Sequence, residues 1–197
     1  MLHLNKIINS TKKLPQIFNS EAVFTAFDTE STELSPSKGR IIEIGAIKFN
    51  KEGVISTWSS LFNPYQKLSS FIIQLTNISQ QMVDSAPPIT EKIDDFLSFI
   101  QGTILIAHNA QADLNFLNVE CMNAGKLPAK NRFIDTLRLS QIVYPEAEYH
   151  KLEFLADYLS IDKGSSHRAL DDAITCQQLF LKMIEKIDYC NINKKKF

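Results

Sequence analysis

Glycine and proline are scarce, six and seven residues of 197, which excludes a collagen-like or linker-dominated chain. No stretch approaches the roughly 18 consecutive apolar residues of a membrane-spanning helix. The N-terminal region also lacks the apolar core of a secretory signal, being broken by Asn5, Lys12, Lys13 and Pro15. Neither sign of charge dominates: 21 Lys and Arg stand against 22 Asp and Glu, so no global basic field advertises a partner. The three cysteines, Cys121, Cys176 and Cys190, are odd in number and far apart, without the Cys-x-x-Cys pair of a zinc or redox motif. These absences predict a soluble, cytoplasmic protein with reduced thiols and no membrane partner. What is present, 44% hydrophobic residues, suffices for one domain with its own core.

Residues 22–27 form a short, apolar, partly β-branched run that leads into Asp28-Thr29-Glu30, a buried strand ending in acids. Residues 40–49 and 54–62 read as two more strands, joined by Asn50-Lys51-Glu52-Gly53, which suits a hairpin turn. After Asn63-Pro64 the spacing predicts helices over 71–83 and 89–100, separated by Ala86-Pro87-Pro88. A strand at 103–107 feeds a helix capped by Asn109 and closed at Gly125, the mark of a parallel crossover. A short strand at 132–135 precedes helices over 136–144, 152–159 and 169–187. This order implies an α/β domain with a mixed sheet over residues 21–190. Before it, Leu4, Ile7, Ile8 and Leu14 mark 1–20 as an extension with a short amphipathic helix that Pro15 ends or kinks, and 191–197 is a polar, lysine-rich tail.

Side chains at i and i+2 on a strand share a face, so Asp28 and Glu30 project together. An isolated Asp-x-Glu is ordinarily a strand entering a polar loop, but strand ends in α/β sheets gather ligands, and paired acids there need a counter-charge such as a divalent metal. Asp113 lies in the first turn of its helix, where the dipole favours an anion. It also sits about 40° from the apolar Leu117 and so leans inward. On the last helix Ala169, Ala173, Cys176, Phe180, Met183 and Ile187 form the inward stripe. Asp172 lies about 60° from Ala169 and Asp171 about 160°, which assigns Asp172 to a site and Asp171 to solvent. His167 precedes this helix in a loop containing Gly164, and with four acids behind it becomes a candidate general base.

Together, Phe27-Asp28-Thr29-Glu30, Asp113 and His167-Arg168-Ala169-Leu170-Asp171-Asp172-Ala173 resemble the three motifs of the DEDDh (DnaQ-like) 3′→5′ exonuclease family, in its polymerase-associated branch. Arg40-Ile41-Ile42-Glu43-Ile44-Gly45-Ala46, Asn63-Pro64, Leu75-Thr76-Asn77-Ile78, Ala107-His108-Asn109-Ala110 and Asp135-Thr136 support the resemblance, which spans about residues 22–188. It implies a ribonuclease-H-like fold with a five-stranded mixed sheet flanked by helices. It also implies Asp28, Glu30, Asp113 and Asp172 as ligands of two divalent cations, Mg²⁺ or Mn²⁺, and His167 as the base that takes the proton of the attacking water. Thr29, Ser31 and Leu34, with His108, Asn109 and Phe116, are candidate contacts to the terminal nucleotide. Three positions depart from the family pattern: Glu33 and Asn77 stand where glycine is usual, and Ala112 replaces a phenylalanine before Asp113. Asn tolerates a left-handed backbone and Glu does so poorly, so the loop at Glu33 is expected to be rearranged.

The activity so implied is hydrolysis at 3′ ends of DNA, single-stranded DNA being favoured over RNA, with release of nucleoside 5′-monophosphates in proofreading or repair. The alternatives are an exoribonuclease that trims RNA 3′ ends, a reading that a homodimer would favour, and an inactive module that docks a DNA polymerase or helicase. With the sequence ending at Phe197, a polymerase or helicase partner is expected to use the domain surface, the N-terminal segment or the lysine tail.

Overall fold

The computed structural model describes residues 7–8, 10–164 and 167–194. β1 (Phe24–Ser31), β2 (Ile41–Asn50) and β3 (Gly53–Leu61) form an antiparallel meander. β4 (Ile104–Ala107) adds parallel to β1, and β5 (Phe133–Asp135) parallel to β4, giving the order β3-β2-β1-β4-β5. The helices are α1 (Leu14–Phe18), α2 (Ser70–Thr76), α3 (Gln80–Asp84), α4 (Ile93–Ile100), α5 (Ala110–Asn123), α6 (Thr136–Val143), α7 (Leu152–Tyr158) and α8 (Ala169–Lys194), with a 3₁₀ turn at Ile89–Glu91.

Strand periodicity divides the core into two layers. On β1, Phe24 and Ala26 face α8 and join Phe49, Cys176, Phe180 and Met183, while Phe27 faces the other way into a cluster with Phe96, Leu114 and Leu117. The rings of Phe24, Phe49 and Phe180 lie 5.6–6.2 Å apart. Burying each such side chain stabilises the fold by about 1.5–3 kcal/mol. Because β1 is central and buried on both faces, whatever extends beyond Phe27 is held rigidly.

Several local expectations are corrected. Pro15 does not end a helix: it lies in the first turn of α1, where its missing N–H leaves no bond unmade. Ile7, expected on that helix, instead bridges to Phe133, with the Ile8 N–H donating to the Phe133 carbonyl at 2.7 Å, whereas Leu4 lies outside the described residues. The single helix expected over 71–83 is two, because Asn77 adopts φ 55° and closes α2 with a left-handed cap. Ser69 and Ser79 cap α2 and α3 by accepting from the Ile72 and Met82 N–H groups. Asn109 occupies the cap position of α5 but at φ 68° and without a side-chain cap. Glu33 is absent from the positive-φ residues, so this loop passes its position without a left-handed turn.

Candidate active site

The parity that turns Phe24 and Ala26 toward α8 continues through Asp28 and Glu30, so both carboxyls emerge on the α8 side as β1 runs out of the core. A bulge after Glu30 shifts the β1–β2 register there. Across the ladder, Gly45 faces Asp28 and Glu43 faces Glu30. Gly45 lacks the atom that would block α8: a Cβ at this position would lie 2.1 Å from the Leu170 nitrogen. The start of α8 therefore rests directly on the sheet, and its first turn carries Asp172.

Asp172 Oδ2 accepts from the His167 N–H at 2.9 Å, and His167 itself is left-handed, φ 61°. One ligand atom each from Glu30, His167 and Asp172 lies within 4.8 Å of the others. The imidazole Nε2 is also 3.6 Å from Glu153 Oε1, at the start of α7. Asp113 is buried, and its Oδ1 accepts from both the N–H and the Oγ1–H of Thr29, at 3.0 and 2.7 Å. Asp171 is half-buried rather than in solvent, its carboxyl packed against Gly164.

This crowding has an electrostatic consequence. Loss of hydration pushes Glu30 up to about 8, and Asp172, Glu43 and Asp113 push it the same way. Asp113 rises to about 7 through burial, against the hydrogen bonds from Thr29 that oppose the rise. Asp172 rises to about 6, again mainly through burial. Asp28 is raised well above the ordinary carboxyl range by burial and then by Asp113, Glu30, Asp172 and Glu43. Arg168 lowers Glu30, but less than each of the raising influences.

Of the expected nucleotide contacts, Thr29, Ser31, Leu34 and Phe116 line one pocket of about 200 Å³ beside Glu30 and Asp113. Leu34 stands 91% exposed at its rim. Ala112 borders the same pocket, and Ile72 and Leu75 of α2 complete its wall. His108 and Asn109 line a different pocket, with Tyr149 and His150. Both His108 nitrogens are engaged internally, Nδ1 with Thr136 Oγ1 at 3.0 Å and Nε2 with the His150 carbonyl at 2.8 Å, and the Asn109 N–H donates to Asp135 Oδ1.

Sequence reasoning missed Gly45, Glu43 and Arg168 as parts of the site. The signal was present: Glu43 is the one charge in the otherwise apolar run 41–47, and a buried carboxylate demands a partner.

A family model for exonucleases, of the RNase T type, matches residues 25–180. The chain belongs to this exonuclease family. The exonuclease is 38% identical over 168 residues to the DNA polymerase III subunit epsilon of Treponema pallidum, covering 84% of this chain and 78% of that one. It is also 38% identical over 172 residues to the PolC-type DNA polymerase III of Caldanaerobacter subterraneus subsp. tengcongensis, covering 87% of this chain but 12% of that relative. E. coli exonuclease I in complex with a dT13 oligonucleotide superposes with a TM-score of 0.74 at 16% identity, over 89% of this chain and 43% of that one. The nuclease domain of 3′hExo, a DEDDh family member bound to rAMP, gives 0.73 at 22%, over 85% and 94%. The exonuclease thus has the ribonuclease-H-like fold, a five-stranded mixed sheet flanked by helices. Among the described residues no helix is long and apolar enough to cross a membrane.

Proposed function

We propose that this exonuclease shortens single-stranded DNA from its 3′ end, releasing nucleoside 5′-monophosphates, and that Asp28, Glu30, Asp113, Asp172 and His167 carry the reaction. The observation that carries the reading is the meeting of Glu30, His167 and Asp172 within 4.8 Å at the end of the strand that also bears Asp28, with Asp113 tied to that strand through Thr29.

The acids fit a divalent cation. Their raised protonation equilibria reflect burial first and neighbouring negative charges second, and Arg168 opposes the rise only weakly at Glu30. A hard, oxygen-seeking cation such as Mg²⁺ or Mn²⁺ relieves this. When bound, two such ions supply charge neutralisation at the phosphate, activation of water and stabilisation of the leaving 3′-oxygen.

The chain's own residues do the rest. Thr29 fixes the Asp113 carboxylate with two donors, so its orientation needs no rearrangement during the reaction. His167 presents its imidazole beside Glu30 and Asp172 and accepts the proton of the attacking water. Leu34 and Phe116 offer apolar contacts to the terminal base, and the pocket at Thr29 and Ser31 takes its sugar. The preference for DNA is supported by relatives that are DNA polymerase III components, and the same likeness supports association with a DNA polymerase.

A gel time course tests this, with 5′-labelled single-stranded DNA and RNA of one sequence, in Mg²⁺, Mn²⁺ or EDTA, using wild type and Asp28→Ala. The expected result is a metal-dependent ladder shortening from the 3′ end, faster on DNA and absent in the variant. Faster RNA cleavage would reverse the substrate assignment, and no cleavage of either would replace catalysis with docking.

A further inference from the structure

Glu43 is 2% exposed and sits directly across the β1–β2 ladder from Glu30. It raises both Asp28 and Glu30, so it adds a fifth negative charge to the cluster. Its oxygens are nevertheless committed elsewhere. Oε1 accepts from Arg168 Nη2 at 2.7 Å, and Oε2 accepts from Arg168 Nε at 3.1 Å and from the Ala169 N–H at 3.0 Å. Arg168 lies between His167 and the first residue of α8. One carboxylate anchored in the antiparallel ladder therefore grips both the guanidinium and the opening amide of the helix that carries Asp172.

The gripped turn is closed internally as well. The His167 N–H donates to Asp172 Oδ2 at 2.9 Å, and the Asp172 N–H donates to the Arg168 carbonyl at 3.0 Å. Gly45, two residues along the same face of β2, clears the space in which this turn lies. His167 is left-handed, a conformation that a non-glycine residue keeps only when its surroundings hold it.

We propose that Glu43 and Arg168 are positioning residues, whose two-pronged ion pair clamps the turn from His167 to Asp172 onto β2 and so sets the base and the fourth acid over Asp28 and Glu30. This rests on the exonuclease reading of the acid cluster. Arg168 also neutralises Glu43, which makes that carboxylate an anchor for the helix rather than a further ligand. The fork is specific to arginine, because a lysine offers a point charge without paired, planar donors.

The test compares wild type with Glu43→Gln, Arg168→Gln, Arg168→Lys and the double variant Glu43→Gln/Arg168→Gln in the full chain. Steady-state cleavage of single-stranded DNA gives kcat and KM, and calorimetry of Mn²⁺ binding without substrate gives a readout independent of turnover. Each single variant is expected to lose roughly 10–100-fold in kcat and about tenfold in Mn²⁺ affinity, with KM within about twofold of wild type. The double variant is expected to be no worse than the worse single, because the two residues act through one another. Wild-type turnover and Mn²⁺ affinity in Glu43→Gln, or losses that multiply in the double variant, would overturn the clamp. If Glu43→Gln does not fold, Arg168→Lys, whose native side chain is 35% exposed, carries the same comparison. Absence of metal-dependent cleavage in wild type defeats the exonuclease reading instead, and equal Mn²⁺ affinities in wild type and variants would then still defeat the clamp.

Discussion

Gly45 lies so close beneath Leu170 that a Cβ on the glycine would stand 2.1 Å from the Leu170 nitrogen and 2.2 Å from the Ala169 carbonyl carbon. Both obstacles are backbone, so neither can rotate aside, and Gly45→Ala must lift the start of α8. Overpacking of this kind costs about 1–3 kcal/mol. Asp172 moves with the helix, and displacement of a reacting group by about 1 Å costs on the order of 10²-fold in rate. Gly45→Ala is therefore expected to lower Tm and to reduce cleavage by about 10²-fold, measured by melting and by initial rates on single-stranded DNA.

Thr29 and Asp113 offer a gentler perturbation. Thr29→Val removes the Oγ1 donor at 2.7 Å but keeps the N–H bond at 3.0 Å. A hydrogen bond to a charged group contributes about 1.5–3 kcal/mol. The bond lowers Asp113 from where burial alone would leave it, so the variant's carboxyl should titrate above about 7. Titration followed by carboxyl-carbon NMR is expected to show this rise together with roughly a tenfold loss of kcat, whereas Thr29→Ser restores the hydroxyl and both values.

Much of this was legible in the sequence, and the limits have physical causes. Helical geometry turned Asp113 inward through its offset from Leu117, and it is buried. The alternation through Phe24, Ala26, Asp28 and Glu30 fixed the face of both acids. The split between α2 and α3 escaped because their apolar spacing runs on across Asn77, and only that residue's left-handed backbone separates them. His108 was named as a candidate contact to the terminal nucleotide; in the fold its two nitrogens meet Thr136 and the His150 carbonyl, partners that only tertiary folding brings near. The Glu43–Arg168 pair joins residues 125 positions apart, beyond the reach of any local pattern.

Asp171 and Asp172 are adjacent, yet their surroundings differ. Asp172 meets His167 and Glu30, whereas the Asp171 carboxyl packs against Gly164. Asp172→Ala is expected to reduce cleavage by at least ~10²-fold, with weaker Mn²⁺ binding, by removing one oxygen donor of the cluster. Asp171→Ala is expected to change the rate by less than about tenfold, or about 1.4 kcal/mol of barrier. Equal losses for the two, in parallel rate measurements, would show that the helix is rotated relative to this assignment.

The acid cluster also makes the metal-free protein sensitive to pH in an unusual direction. Glu30 rises from an ordinary 4.5 to about 8, Asp113 from 3.8 to about 7 and Asp172 from 3.8 to about 6. Between each pair of values the unfolded chain has released the proton while the folded chain still holds it, so stability falls as pH rises. The stabilisation relative to the charged cluster is complete below about pH 4 and lost by about pH 8, the reverse of a protein held together by salt-bridged carboxylates. A divalent cation binds the deprotonated acids and so competes with protons for the same groups. In EDTA, Tm is expected to decline from pH 5 to pH 8, and in Mn²⁺ the decline is expected to vanish or invert, with the largest cation-induced rise at pH 8. Melting curves at four pH values in each condition check this. A Tm that climbs with pH in EDTA would mean that the carboxyls are not crowded in the folded state.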